Sequence, residues 1–161
     1  SAVKKSAILS AALIFVLLSC GSTDRASAVV EAFSQAMADS AYDEAWEMLT
    51  PETRSWYDST LAILREFGWT ESRGAITELA GEMTEEDFLQ LTGKDIFVRM
   101  AEYSEDVHNL SSSIKSVSYP DSLLGVVVVR TEEGLQEIIV RKIGDRWLID
   151  LTSLMPPMEG G

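Results

Sequence analysis

Three runs close the chain's ordered pattern: Leu123-Leu124-Gly125-Val126-Val127-Val128-Val129-Arg130-Thr131, then Leu135 to Ile143 through Ile138-Ile139-Val140, then Arg146-Trp147-Leu148-Ile149-Asp150-Leu151. They are rich in β-branched residues and are parted by Glu132-Glu133-Gly134 and Gly144-Asp145. Runs of this kind with short Gly-containing breaks read as strands joined by hairpin turns, hence antiparallel. Ser113 to Tyr119, ended by Pro120-Asp121, adds a strand before them, which makes four. Val126 to Val129 are consecutive, and Ile138-Ile139 repeat the feature one strand later, so both faces of these strands are apolar. A sheet with helices on one face needs cover on that face alone. The surplus face is a candidate protein interface, unless helix ends, the tail or the curl of the sheet cover it.

Upstream the period is helical. Val29, Ala32, Phe33, Ala36 and Met37 form one stripe, and Tyr42, Ala45, Trp46 and Leu49 a second, short one. Thr50-Pro51 is a cap followed by proline at the first helical position. Trp56, Tyr57, Thr60, Leu61, Leu64 and Phe67 give that third helix its apolar side, and Gly68 ends it. Residues 69–81 are interrupted by Gly74 but hold Ile76, Leu79 and Ala80 at helical spacing. Thr84 with Asp87 resembles a capping box, and Ile96, Phe97, Met100 and Tyr103 mark a last helix. Helices first and an antiparallel sheet after predict an α+β domain over residues 27–155, with residues 156–161 as a flexible tail. About 130 residues bury roughly two-thirds of their unfolded surface, enough for one core.

The 161 residues hold 13 basic and 26 acidic side chains, a net charge of −13. Such a balance argues against binding a phosphate backbone. One cysteine excludes an intramolecular disulfide and zinc sites built on several thiolates. The acidic run Glu71, Glu78, Glu82, Glu85, Glu86, Asp87 lacks the ligand spacing of a calcium loop and reads as a solvated face. No cofactor and no metal are expected.

The N-terminus carries Lys4 and Lys5, then an uncharged apolar run from Ser6 to Ser19, then Cys20. That run is too short to span a bilayer and has the pattern of a secretory signal peptide. Leu17-Leu18-Ser19-Cys20 resembles the bacterial lipobox. The resemblance implies cleavage before Cys20, with a diacylglycerol thioether on its sulfur and a further acyl chain such as palmitate on its amine. Residues 1–19 are then the signal peptide, and Cys20 with residues 21–26 a lipidated tether. Loss of Lys4 and Lys5 takes the basic count from 13 to 11 against an unchanged 26 acids, a charge of −15. Such a body is repelled by anionic headgroups and stands off the bilayer. The expected location is the cell envelope, anchored by lipid with the body outside the cytoplasm. Gly21-Ser22, without aspartate after the cysteine, resembles outer-membrane sorting in a cell with two membranes.

Ala41-Tyr42-Asp43-Glu44-Ala45-Trp46, Leu49-Thr50-Pro51-Glu52 and the closing Gly144-Asp145-Arg146-Trp147-Leu148-Ile149-Asp150 are similar to motifs of the nuclear-transport-factor-two-like, or cystatin-like cone, superfamily in its ketosteroid-isomerase-like branch. The resemblance covers residues 27–151. It implies a curved sheet wrapped around helices, often with a pocket in the mouth of the cone. Some members are enzymes, many are ligand- or partner-binding modules, and sheet-to-sheet dimers are common. The strand region here carries no His, Asp and Tyr cluster that matches a catalytic set of that superfamily.

The candidate side chains follow from these readings. His108, the one histidine, lies in the polar connector Glu105 to Asn109, as a solvated loop residue or the base of a dyad with no nucleophile tied to it. Asp150 is the candidate acid or base. Facing the cone mouth, desolvation would raise its pKa and suit it to proton transfer; facing Arg141 or Arg130, it is a structural ion pair. Trp46, Trp56, Tyr57, Phe67 and Trp69 form either a stacking pocket for a flat apolar ligand or core, with Trp69 as the pocket lip. Tyr119 or Asp150 would offer the ligand a polar contact. Three functions remain open: a non-catalytic binder of a small apolar ligand or a partner, an isomerase- or hydrolase-type enzyme using Asp150, and an assembly lipoprotein acting through Val126 to Val129.

Overall fold

The computed structural model describes residues 25–103, 114–131 and 133–155. The signal peptide, Cys20, His108 and the tail 156–161 lie outside the described residues. The helices are α1 (Arg25–Ala38), α2 (Tyr42–Glu47), α3 (Pro51–Phe67), α4 (Trp69–Ala80), α5 (Glu85–Gln90) and α6 (Gly93–Tyr103). The strands β1 (Ile114–Asp121), β2 (Leu124–Thr131), β3 (Gly134–Ile143) and β4 (Arg146–Asp150) form one antiparallel sheet in chain order, and a 3-10 turn, Thr152–Leu154, follows. The architecture is α+β, with the six helices packed against the four strands.

Local chemistry places the element ends. The Thr50 hydroxyl accepts from the Thr53 N–H at 3.2 Å and opens α3 with Pro51 at its first position. At α5 both halves of the capping box are made: Asp87 N–H donates to the Thr84 hydroxyl and Thr84 N–H to the Asp87 carboxylate, each at 3.1 Å. Gly68, at φ +84°, separates α3 from α4 in a conformation closed to most L-residues. Gly74 does not break α4, because it sits on an exposed side where nothing needs a side chain to pack.

Alternation along the strands sorts the sheet into two faces. Val127, Val129, Ile138, Val140 and Ile149 point inward and are buried beneath the helices. Leu124, Val126, Val128, Ile139 and Leu148 share the outer face with Arg130, Glu137, Arg141 and Asp150. The free edge of β4 is closed by residues 48–50: Ile149 N–H donates to the Met48 carbonyl at 2.7 Å, and Thr50 N–H to the Ile149 carbonyl at 2.9 Å. β1, the other edge, is broken by register shifts on either side of Ser116–Ser118 and carries Pro120, features that blunt edge-to-edge pairing.

Some helical faces are turned from their expected position. On α1 the buried set is Ala26, Val30, Phe33, Ser34, Ala36 and Met37; Val29 is half-buried and Ala32 exposed. The helix also starts two residues before Ser27, inside the expected tether. Both differences have one cause: Ala26 seats directly on Gly125 of β2, and its N–H donates to the Tyr119 hydroxyl at 3.1 Å. A Cβ at Gly125 would lie 2.7 Å from the Ala26 Cβ. Gly125→Ala is therefore expected to push α1 off the sheet and cost about 1–2 kcal/mol, read as a lower urea midpoint at unchanged slope. Phe67, Leu79 and Tyr103, expected on apolar faces, are exposed: Phe67 and Tyr103 are the last residues of their helices, and Leu79 points away from the side on which Ile76 and Ala80 are buried.

Candidate functional site

Asp150 ends β4 on the outer face and is 5% exposed. Its Oδ2 accepts from Arg141 Nε at 2.7 Å, and its Oδ1 accepts from both the backbone N–H (2.9 Å) and the hydroxyl (2.5 Å) of Thr152. Register makes the choice between the two arginines. Asp150 lies opposite Ile139, one step diagonally from Arg141, whereas Arg130 lies opposite Leu135 toward the other end of the sheet. Burial by itself would raise the carboxyl pKa. The hydrogen bonds from Arg141 and Thr152, with the Arg141 charge, outweigh it and hold Asp150 below its ordinary value. The shift runs opposite to the one a general base poised near neutrality needs. The lone pairs are already committed: the carboxylate ties β3 to β4 and holds Thr152, the first residue of the 3-10 turn.

The aromatic residues divide. Tyr57 and Trp46 are buried and pack with Phe97 of α6 as a three-ring cluster, with centroids 5.5–5.8 Å apart. Burial lifts the Tyr57 phenol to about 12. Arg54 covers the Trp46 ring, its guanidinium carbon 5.7 Å from the centroid, and its Nε donates to the Trp46 carbonyl. Trp69 packs its ring on the fully buried Phe88 at 5.4 Å and joins α4 to α5, so it is part of a helix contact and not a lip. Tyr119 sits edge-on to Trp147 at 5.8 Å beside the N-terminus of α1. Trp56 stands edge to face on Tyr57 at 5.2 Å, and its groove reaches Thr152, the partner of Asp150, whereas Trp69 and Tyr119 lie at other contacts, so the five do not converge on one pocket.

Of these, Trp56 borders a groove. With Pro51, Glu52, Ser55, Ser59 and Thr152 it lines a shallow groove of about 420 Å³ on α3. Its indole N–H is buried and has no partner among the described residues. A second open groove, about 680 Å³, runs between α2, α5 and α6 past Asp87, Arg99 and Glu102, and the Lys94–Asp43 ion pair of 2.9 Å crosses it.

Two polar side chains hold distant segments together without any local motif that announces them. Thr53 is fully buried on α3; its hydroxyl meets that of Thr50 at 2.8 Å and accepts from Leu151 N–H at 3.1 Å, tying the start of α3 to the end of β4. Arg65 donates to the carbonyls of Phe88 and Leu91, closing the C-terminal end of α5. No local motif marks either one, since each acts on a distant segment.

Among the described residues, no three His, Cys, Asp or Glu side chains come together as a metal cradle, and no helix is long and apolar enough to cross a membrane. The chain matches no protein-family model, no curated protein and no solved structure.

Proposed function

We propose that this chain is a lipid-anchored protein of the cell envelope that works by binding and not by turnover, and that a second copy docks on the outer face of its sheet. The observation that carries this reading is the composition of that face. Leu124, Val126, Val128 and Ile139 are only half-buried at its centre, and Leu135 and Ile143 lie open at its margins. An apolar patch of this kind on a strongly acidic body marks an interface. The occupant follows from charge. Two bodies of −15 repel through their acidic helices, whereas this face sets Arg130 and Arg146 against Glu137 beside the internally paired Arg141 and Asp150. A two-fold pairing of one such face with itself needs both signs present. The resemblance to the cone superfamily favours the same surface. The lipobox at Leu17 to Cys20 supports the anchor, with Cys20 as the acylated residue.

Sedimentation equilibrium of residues 21–161 is expected to give a dimer. Leu135→Asp, at an exposed position that spares the fold, is expected to weaken association about tenfold or more. A wild-type monomer at hundreds of micromolar would remove the second copy as occupant.

A second reading rests on the unpartnered indole N–H of Trp56: the α3 groove takes a small ligand with an apolar body and one hydrogen-bond acceptor. Native mass spectrometry of the protein purified from its own host tests it. A co-purifying small mass that Trp56→Phe abolishes supports the groove, and an empty chain removes it.

A further inference from the structure

We propose that the tip of the β1–β2 hairpin rests on the lipid bilayer and fixes the orientation of the body on the membrane. The inference builds on the lipid anchor at Cys20 proposed above. Cys20 is six residues from Ala26, and a fully extended chain of that length spans about 20 Å. Ala26 is held at one end of the sheet by the Tyr119 hydroxyl and by its seat on Gly125. The β1–β2 tip and the β3–β4 turn share that end. The β2–β3 turn is a whole strand away: the eight residues of β2 measure about 26 Å. An acylated Cys20 therefore reaches the bilayer beside the first end and cannot reach it beyond the second.

The surface of that end suits a bilayer interface. Leu123 projects from the tip and is 59% exposed, with Pro120, Tyr119 and Ile143 exposed around it. The tip is built, not loose: Leu123 N–H donates to Asp121 Oδ1 at 2.7 Å, and its carbonyl accepts from Lys142 N–H at 2.9 Å. Tyr119 has the amphipathic ring that favours the headgroup level. Arg25, Lys142 and Arg146 balance Asp121, Asp145 and, next to Arg25 in the sequence, Asp24, which makes a near-neutral end on a body of net −15. Turning this end down brings a surface without net acidic charge to anionic lipid.

The test uses the full lipidated chain in vesicles of phosphatidylethanolamine and phosphatidylglycerol, with a nitroxide on Leu123→Cys or, at the opposite end of the sheet, on Glu133→Cys. Both positions are exposed, so neither label disturbs the core. The expected result is an oxygen-to-nickel-complex accessibility ratio severalfold higher at 123 than at 133, with a diacylglycerol mass on Cys20. Equal ratios at the two positions with that mass present overturn the docking and leave the anchor standing. A label at 123 shielded from both reagents would assign the tip to a protein contact and overturn it as well. A chain without lipid on Cys20 overturns both readings.

Discussion

Phe97→Ala is expected to lower the unfolding free energy by about 3–5 kcal/mol, the range for deleting a buried aromatic side chain. For a chain of this size that lowers the melting temperature by roughly 6–20 °C. Phe97 is the α6 member of the ring cluster. It meets Trp46 of α2 at 5.5 Å and Tyr57 of α3 at 5.6 Å, the latter edge to face. Removing it leaves a void that three helices border and none can fill, because the facing rings are fixed by their own helices. Thermal and urea unfolding of the variant read the effect. The same measurement bears on the ligand reading. A cluster that lined a ligand site would already tolerate empty space, and a loss under about 1 kcal/mol would place Trp46 and Tyr57 at such a site.

Asp150→Ala is expected to cost about 3 kcal/mol, at the upper end of the loss when a buried acceptor is removed from its donors. Arg141 Nε, the Thr152 N–H and the Thr152 hydroxyl lose their partner together. Arg141 is half-exposed and regains water, so the larger share falls on Thr152 and the turn it begins. The pH dependence has a definite sign. The folded-state pKa of Asp150 lies below its ordinary value of 3.8. Its contribution is therefore fully present above that value and is lost as pH falls through the folded pKa. Urea unfolding of wild type and Asp150→Asn from neutrality down to about pH 3 should show a constant gap that narrows only in the acid range. A gap that instead narrows between neutrality and pH 5 would mean a raised pKa, and would restore Asp150 as a candidate base.

The assignment of helices and strands was legible in the sequence because its signals are local. Thr50-Pro51, Thr84 with Asp87, Gly68 and Gly144-Asp145 each fix an element boundary through bonds or angles within four residues. The change of period after residue 110 separated helices from strands, and tight breaks made the last strands antiparallel. These features fix the α+β class and the alternation that puts Asp150 with Leu148 and Ile149 on the opposite side.

What the period could not fix was rotation and partnership. One residue along α1 turns its face by about 100°, and alanines at 26, 32 and 36 are too small to vote. The seat of Ala26 on Gly125, 99 positions away in sequence, chose the buried side. The fate of Asp150 was open between two arginines until strand register set Arg141 beside it and Arg130 several residues off. The aromatic residues read as one group because they are close in sequence. The fold separates them, sending Trp46 and Tyr57 to Phe97 and Trp69 to Phe88, since contacts between helices depend on crossing geometry and not on spacing along the chain. Local chemistry along the chain suffices for the elements, their order and the apolar surplus of the central strands. Which side chains meet follows from packing between separate elements, because no bond within any one of them sets those pairings.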